Sequence, residues 1–311
     1  MPTGFFTHDL CHSCEQGHDS PETPERIEAI EDRMLAMGLN RVVKVLPSTA
    51  ARLEDVCRAH DPDFVDGLRQ ASLRARTEGD QKISDDTYIN PMSFDAAMKS
   101  AGAAIEAVRQ VCSGTIRNAF VCVRPPGHHA GRRFAHGFCL INSVACAALY
   151  ALEVLGLKRV AILDFDVHRA DGTEDIVKGD ERIQLFSLFQ ETAFPYGLAP
   201  AHEANIFNAP MPEGTDGADV IQLVNEVWLP KILDFRPELL LVSAGFDAHR
   251  DEKQALFKLT EFDYSFLTIE AMRLARVVCG GKLVSVLEGG YDIRSLARSA
   301  VAHLATLTRA A

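Results

Sequence analysis

Residues 159–173 read RVAILDFDVHRADGT, and this stretch decides the fold class. Its first half is apolar at consecutive rather than alternating positions, the pattern of a strand buried on both faces of a parallel sheet. Its second half turns abruptly polar, with Asp164, Asp166, His168 and Asp171 crowded just where the strand ends. Outward from this stretch the same alternation recurs. Strand candidates lie at 41–46, 119–123, 159–165, 183–188, 238–243 and 282–287, and helical stretches at 24–37, 93–112, 143–155, 218–233, 264–279 and 293–308. Pro24 followed by Glu25 marks a helix start, because proline's fixed φ suits a first turn. Strands alternating with helices predict a mostly parallel sheet covered by helices on both faces. No Pro/Ser-rich linker, charge block or internal repeat divides residues 1–311, so one domain is expected.

An open α/β sheet carries its working groups in loops beyond the carboxyl ends of its strands. Four polar segments follow strand candidates in this way: RPPGHHA (124–130), DFDVHRADGT (164–173), SAGFDAH (243–249) and LEGGY (287–291). Four clusters at four strand ends predict one shared crevice.

Composition narrows the partners. Hydrophobic residues make up 47% of the chain and charged residues 24%, values of ordinary globular proteins that exclude disordered and fibrous classes. The net charge of −11, from 32 basic and 43 acidic residues, argues against nucleic acid, which requires a basic face to neutralise phosphates. It mildly favours cationic partners such as polyamines or lysine-bearing peptides, although plain solubility explains the charge as well. No apolar run approaches the roughly eighteen residues that span a bilayer. MPTGFFTHDLCHSC (1–14) lacks a basic segment followed by an apolar one, so no membrane association is expected and a cytoplasmic location follows by default.

Eight cysteines are too sparse for a disulfide scaffold. Cys112, Cys122, Cys139, Cys146 and Cys279 lie in apolar stretches and read as buried free thiols. Cys11 and Cys14 form a CxxC near His8, His12 and His18. A structural zinc site and a redox pair are both open; no second ligand pair accompanies them, so a surface loop with incidental thiols is preferred.

Asp166 and His168 flank Val167 just past a strand, where alternate side chains can point the same way. With Asp247 from another strand end they offer two carboxylates and one imidazole. Such a set leaves a divalent ion one open position, the catalytic rather than the structural arrangement. Two anionic ligands make a weaker Lewis acid than three histidines would, so the protein is expected to help polarise a carbonyl. An Asp-x-His alone is equally well read as a hydrogen-bonded loop. A dinuclear manganese site would favour acidic groups two positions after His168 and after Asp247; Ala170 and His249 stand there, which favours a single metal.

His128 and His129 follow Pro125-Pro126-Gly127, a stiffened approach ending in a tight bend. Histidines move protons near neutral pH, and each needs a partner on its other ring nitrogen; Asp164 and Asp171 are the candidates. Tyr291, after Gly289-Gly290, can reach the crevice and donate to an oxyanion, or serve as a core tyrosine. The paired glycines belong to no GxxxxGK[ST] or GxGxxG pattern, so phosphate binding is not expected.

In order along the chain, RPPGHHA, HGFCLIN (136–142), DFDVHRADGT, FSL (186–188), SAGFDAHRD (243–251) and LEGGYD (287–292) resemble the zinc-dependent histone deacetylase and acetylpolyamine amidohydrolase superfamily. GHDSPETPERIEAI (17–30) resembles its N-terminal segment, and the likeness to bacterial class II-like members spans nearly the whole chain. The resemblance implies the arginase/deacetylase fold, a single α/β domain with an eight-stranded parallel sheet and helices on both faces. It implies zinc on Asp166, His168 and Asp247, His129 as general base and acid, and His128 as its electrostatic partner. Asp164 and Asp171 would orient the histidines and Tyr291 would polarise the scissile carbonyl. Phe138 and Phe194 would line an acyl-lysine tunnel, with the Gly137 carbonyl meeting the substrate amide. A potassium ion is implied near the backbone oxygens of Asp164, Asp166, His168, Ser187 and Leu188.

Several positions depart from the family pattern. His168-Arg169-Ala170 replaces the usual His-His-Gly; Arg169 is expected to point away from the metal while lowering nearby carboxylate pKa values. Phe189 replaces a histidine after Ser-Leu, and Lys253-Gln254 replaces a Pro-Leu or Pro-Glu pair. Gln254 has the shape of the glutamate that accompanies polyamine preference without its charge, which tips the expectation toward acylated lysine on peptides or proteins over acetylated polyamines. A catalytically weak homologue that binds acylated ligands or partner proteins is the reading of a different class, with Arg169 as its support. Oligomeric state is open, a homo-oligomer included.

Overall fold

The computed structural model describes residues 1–17, 20–197 and 203–309. The chain begins with β1 (Thr3–Thr7), α1 (Glu25–Ala36) and β2 (Val43–Pro47), then α2 (Leu53–Val56) and α3 (Pro62–Glu78). A short antiparallel hairpin, β3 (Gln81–Lys82) and β4 (Tyr88–Ile89), precedes α4 (Ser93–Cys112) and β5 (Ala119–Val121). There follow α5 (Ser143–Glu153), β6 (Val160–Asp164), α6 (Asp171–Val177), β7 (Ile183–Gln190) and β8 (Ile206–Met211). The chain closes through α7 (Gly217–Leu223), α8 (Leu229–Phe235), β9 (Leu239–Ala244), α9 (Glu261–Cys279), β10 (Leu283–Leu287) and α10 (Ile293–Thr308).

Eight strands form one sheet in the order β2-β1-β5-β10-β9-β6-β7-β8, and every pairing in it is parallel. The three strands VAILD, LLLVSA and LVSVL are buried at every position, as continuous apolar runs require when helices cover both faces. Edge strands β2 and β8 are only partly buried. The expected α/β architecture is therefore present.

The four polar segments follow β5, β6, β9 and β10, which are adjacent in the sheet as β5-β10-β9-β6. Asp164 at the end of β6 is level with Ser187 of β7 and Ser243 of β9. Four loops thus leave the sheet side by side and meet over its centre.

Several elements differ from expectation. β1, β8 and α3 were outside the expected set: TGFFT is short with polar ends, IFNAPM is an edge strand containing Pro210, and the apolar face of α3 at 65, 68, 71 and 75 is interleaved with charges. The single helix expected at 218–233 is instead α7 and α8 joined by a π-turn at Val224–Trp228, directly before Pro230. Proline offers no N–H and its ring crowds the preceding turn, so the ladder widens there. Helix α9 starts three residues earlier than expected because Thr260 and Asp263 close a capping box.

Cys11 and Cys14 are a correction. They are buried, not on a surface loop, and burial pushes their thiols up to about 12 and about 11. Among the described residues neither joins a cluster with metal-ligand spacing; His18 lies outside the described residues. All eight cysteines are free, and Cys112 is half-buried where full burial was expected. Among the described residues no helix is long and apolar enough to cross a membrane.

Asn142 joins the layers at the crevice. Its Oδ1 caps α5 by accepting from the Ala145 N–H at 2.9 Å. Its amide donates to the Ala130 carbonyl at 3.2 Å and to Thr173 Oγ1 at 2.9 Å. Asn142→Ala loses the cap and leaves buried acceptors unpaired, so urea unfolding is expected to show a loss of about 3 kcal/mol.

Candidate active site

The loops leaving β6, β9 and β10 bring three ligand atoms together. His168 Nδ1 lies 3.0 Å from Asp166 Oδ1 and 3.2 Å from Asp247 Oδ2, and the three groups fall within 4.8 Å of one another. All three residues are buried. Their remaining oxygens are held by backbone: Asp247 Oδ1 accepts from Val167 N–H at 2.9 Å and Asp166 Oδ2 from Gly289 N–H at 2.8 Å. Burial opposes a charge on His168, but the hydrogen bonds to Asp166 and Asp247 outweigh it and raise the ring to about 10.

Glycines make the room. A Cβ at Gly289 would stand 2.0 Å from Asp247 Oδ2, and one at Gly245 would stand 2.1 Å from Asp166 Oδ2. No side chain fits at either position without displacing a carboxylate.

The two adjacent histidines stand beside this trio in different states. His128 Nδ1 meets Asp164 Oδ2 at 3.1 Å, and its Nε2 lies 3.7 Å from Asp166 Oδ2. Burial opposes its protonation, yet the Asp166 and Asp164 carboxylates prevail and push it well above the usual imidazole range. His129 Nδ1 meets Asp171 Oδ1 at 2.6 Å, leaving Nε2 free. Burial and the neighbouring His128 lower it to about 3, so it stays neutral. One pair of rings therefore presents a charge and a base side by side.

A cavity of about 180 Å³ opens above them, lined by His129, His168, Gly137, Phe138, Phe194 and Tyr291. The exposed Tyr196 and Gln254, with Asp86, surround its mouth. The Phe194 ring stands edge-on to His129 at 4.9 Å, and Phe138 stands edge-on to Tyr291 at 5.6 Å. Burial raises the Tyr291 phenol well above its ordinary value, keeping it a hydroxyl donor. The Gly137 carbonyl also receives the Cys139 thiol at 3.3 Å. Ser187 and Leu188 are buried on β7, and Ser187 Oγ has no hydrogen-bond partner.

Arg169 agrees with one part of its expectation, by turning to α6, and departs from the other. It is buried, and its Nε lies 3.4 Å from Glu174 Oε1 on α6. The pKa of Asp166 is depressed, against its burial, by His128 and His168 rather than by Arg169.

Other site residues were not foreseen. Glu288 Oε2 accepts from the Gly127 and His128 N–H groups at 2.7 and 3.1 Å, fixing the histidine loop to β10. Glu252 Oε2 accepts from the Tyr291 N–H at 2.7 Å. Arg26 Nε and Nη2 donate to the Gly290 and Glu288 carbonyls at 2.7 and 2.5 Å, and its guanidinium carbon lies 4.9 Å from the Tyr291 ring centroid. His136 Nε2 meets Asp171 Oδ2 at 2.7 Å. Glu288 and Arg26 stand inside quoted motifs, and a third histidine just after His128-His129 was a readable signal.

With this geometry in place, comparison with known proteins is informative. A family model described as histone deacetylase domain matches residues 20–307, and the chain belongs to the histone deacetylase family. A probable deacetylase of Archaeoglobus fulgidus is 33% identical over 302 residues, covering 94% of this chain and 82% of that protein. Polyamine deacetylase HDAC10 of Homo sapiens is 33% identical over 327 residues; the match covers 99% of this chain and 48% of HDAC10, about half its length. The crystal structure of the HDA15 HD domain matches with a TM-score of 0.90 at 30% identity, covering 99% of this chain and 88% of that one.

The site is tied to the N-terminal segment by a buried ion network. Glu22 accepts from Arg26 Nη1 at 2.8 Å and from Arg124 Nε and Nη2 at 2.5 and 2.7 Å, and all three side chains are buried. Glu22→Gln leaves two buried guanidinium groups without a counter-charge. Chemical denaturation is expected to show a loss of about 3–5 kcal/mol.

Proposed function

We propose that this histone deacetylase family member is a zinc-dependent deacylase that hydrolyses the amide of acyl-lysine side chains. The observation that carries the reading is the convergence of Asp166, His168 and Asp247 beneath a cavity walled by His129, Phe138, Phe194 and Tyr291. Two carboxylate oxygens and one imidazole nitrogen suit zinc with a position left open, and the absence of a side chain at Gly245 and Gly289 lets both carboxylates approach. When bound, zinc supplies Lewis acidity to the acyl carbonyl and acidifies water.

The chain's own groups do the rest. His129, neutral and with Nδ1 committed to Asp171, presents Nε2 to take a proton from the attacking water. His128, oriented by Asp164, contributes positive charge beside the developing oxyanion. Tyr291 donates its hydroxyl hydrogen to that oxyanion as the carbonyl carbon becomes tetrahedral. The proton held on the histidine pair then passes to the leaving amine nitrogen as the C–N bond breaks. Phe138 and Phe194 confine the acyl-bearing chain, and the Gly137 carbonyl serves as acceptor for the substrate amide N–H. We further assign a potassium ion to the backbone oxygens of Asp164, Asp166, His168, Ser187 and Leu188; the unpartnered, buried Ser187 Oγ supports it.

A second reading, acetylated polyamines as substrate, is favoured by a hollow of about 520 Å³ beside Phe138 that Asp80, Asp85 and Asp86 line. The uncharged Gln254 at the mouth favours acyl-lysine. Turnover of acetyl-lysine peptides against acetylspermidine and acetylputrescine decides between them; dominant polyamine turnover would reverse the assignment. No acetate release from any of these substrates by the zinc-loaded protein would reduce it to a binding homologue.

Two outcomes test the mechanism. Dialysis against a chelator is expected to abolish acetate release and stoichiometric zinc to restore it. Tyr291→Phe is expected to lower kcat by about a hundredfold, as loss of one oxyanion donor does elsewhere; unchanged turnover would remove Tyr291 from the reaction.

A further inference from the structure

His136 has no role in the reaction as proposed, yet it shares the carboxylate that orients the general base. Asp171, the first residue of α6, gives Oδ1 to His129 Nδ1 at 2.6 Å and Oδ2 to His136 Nε2 at 2.7 Å. The His136 ring stands edge-on to Phe134 at 5.2 Å and to Phe194 at 5.0 Å, so it is clamped between two aromatic neighbours. Its side chain is 21% exposed. It borders a second cavity, of about 600 Å³, that Phe64, Ile83, Arg133 and Phe134 also line and that reaches Asp171 itself. Asp171 therefore stands as the wall between two spaces: the cavity lined by His129 on one side and this larger hollow on the other.

A carboxylate in that position has two ways to fail. Its terminal torsion is soft and roughly two-fold, so an oxygen left to solvent lets the group swing and weakens its grip on His129. Burial also favours the neutral acid, which would present a donor where His129 needs an acceptor. His136 counters both. Its Nε2–H occupies the second oxygen from a ring flanked by Phe134 and Phe194, and the two imidazole donors together outweigh burial and hold Asp171 below the usual carboxylate range.

We propose that His136 is a positioning residue: by donating to Asp171 Oδ2 it fixes the carboxylate that keeps the His129 proton on Nδ1 and turns Nε2 to the substrate. The inference rests on His129 acting as the general base. It also makes Asp171 the shared acceptor of three residues in line, His129–Asp171–His136, rather than one half of an isolated dyad.

The test compares His136→Leu and His136→Gln in the zinc-loaded full chain. Leucine fills the space without a donor, whereas the glutamine amide can reach the same carboxylate oxygen. His136→Leu is expected to lower kcat by about tenfold to a hundredfold, as loss of an orienting partner does at comparable sites, with KM changed less than about twofold. In ¹⁵N-histidine NMR the low-field Nδ1–H signal of His129, assigned by its loss in His129→Ala, is expected to move upfield or vanish in His136→Leu. His136→Gln is expected to restore both readouts. A His136→Leu variant with wild-type kcat and an unmoved signal would overturn the proposal, as would a glutamine variant no better than leucine. Should the wild-type protein release acetate from no substrate, the deacylase reading falls, while the NMR comparison still decides whether His136 holds Asp171 in place.

Discussion

Four carboxylates without solvent exposure, those of Asp164, Asp166, Asp247 and Glu288, crowd the ends of adjacent strands. Burying an ionised carboxylate costs several kcal/mol unless charge or hydrogen bonds compensate it. Much of the surrounding structure is that compensation. Asp164 receives the Asp166 N–H and His128, Asp247 receives the Val167 N–H and His168, and Glu288 receives two backbone N–H groups and Ser243 Oγ. Parallel strands ending level with one another supply those amides at the right height. His128 and His168 supply the counter-charge within the site, and the glycines at 245 and 289 let the carboxylates close in.

This origin explains why so much was legible beforehand. Buried parallel strands leave continuous apolar runs, and the abrupt switch to Asp, His and Gly at their ends is visible without coordinates. The central strands after 159, 238 and 282 and the Asp, His and Tyr residues that follow strands are legible in this way, whereas Gly137, Phe138 and Phe194 were implied by the family resemblance alone. Other strands carry a weaker signal. Edge strand β8 includes a proline, and β1, though paired on both sides, offers only Phe5 and Phe6 as large apolar side chains. Helix α3 does carry a local signal, an Asp61 cap before Pro62 and buried residues at 65, 68, 71, 72 and 75, but many charges between them dilute it.

The site's supporting groups were harder to see for another reason. Glu288, Glu252 and Arg26 act through backbone amides and carbonyls far away in the chain, and a spacing rule detects only neighbours. Cys11 and Cys14 misled in the opposite direction. A CxxC near histidines looks like a ligand set, but their neighbours bury them and hold the sulfurs protonated. Arg169 likewise is paired with Glu174, which lies on the helix that begins at Asp171.

The order of strands carries a consequence for how the protein is made. β10, last of the eight in the chain, does not sit at the rim but inserts between β5 and β9. During translation the ribosome releases seven strands before the one that belongs in their middle, so the nascent sheet has to keep a slot vacant, with unpaired strand edges facing it. Arg26, already synthesised, waits for carbonyl partners on a segment more than two hundred and fifty residues downstream. Closure of the central slot and completion of the crevice are thus a single late event, and a chain cut short before that strand is not a smaller enzyme but an open one.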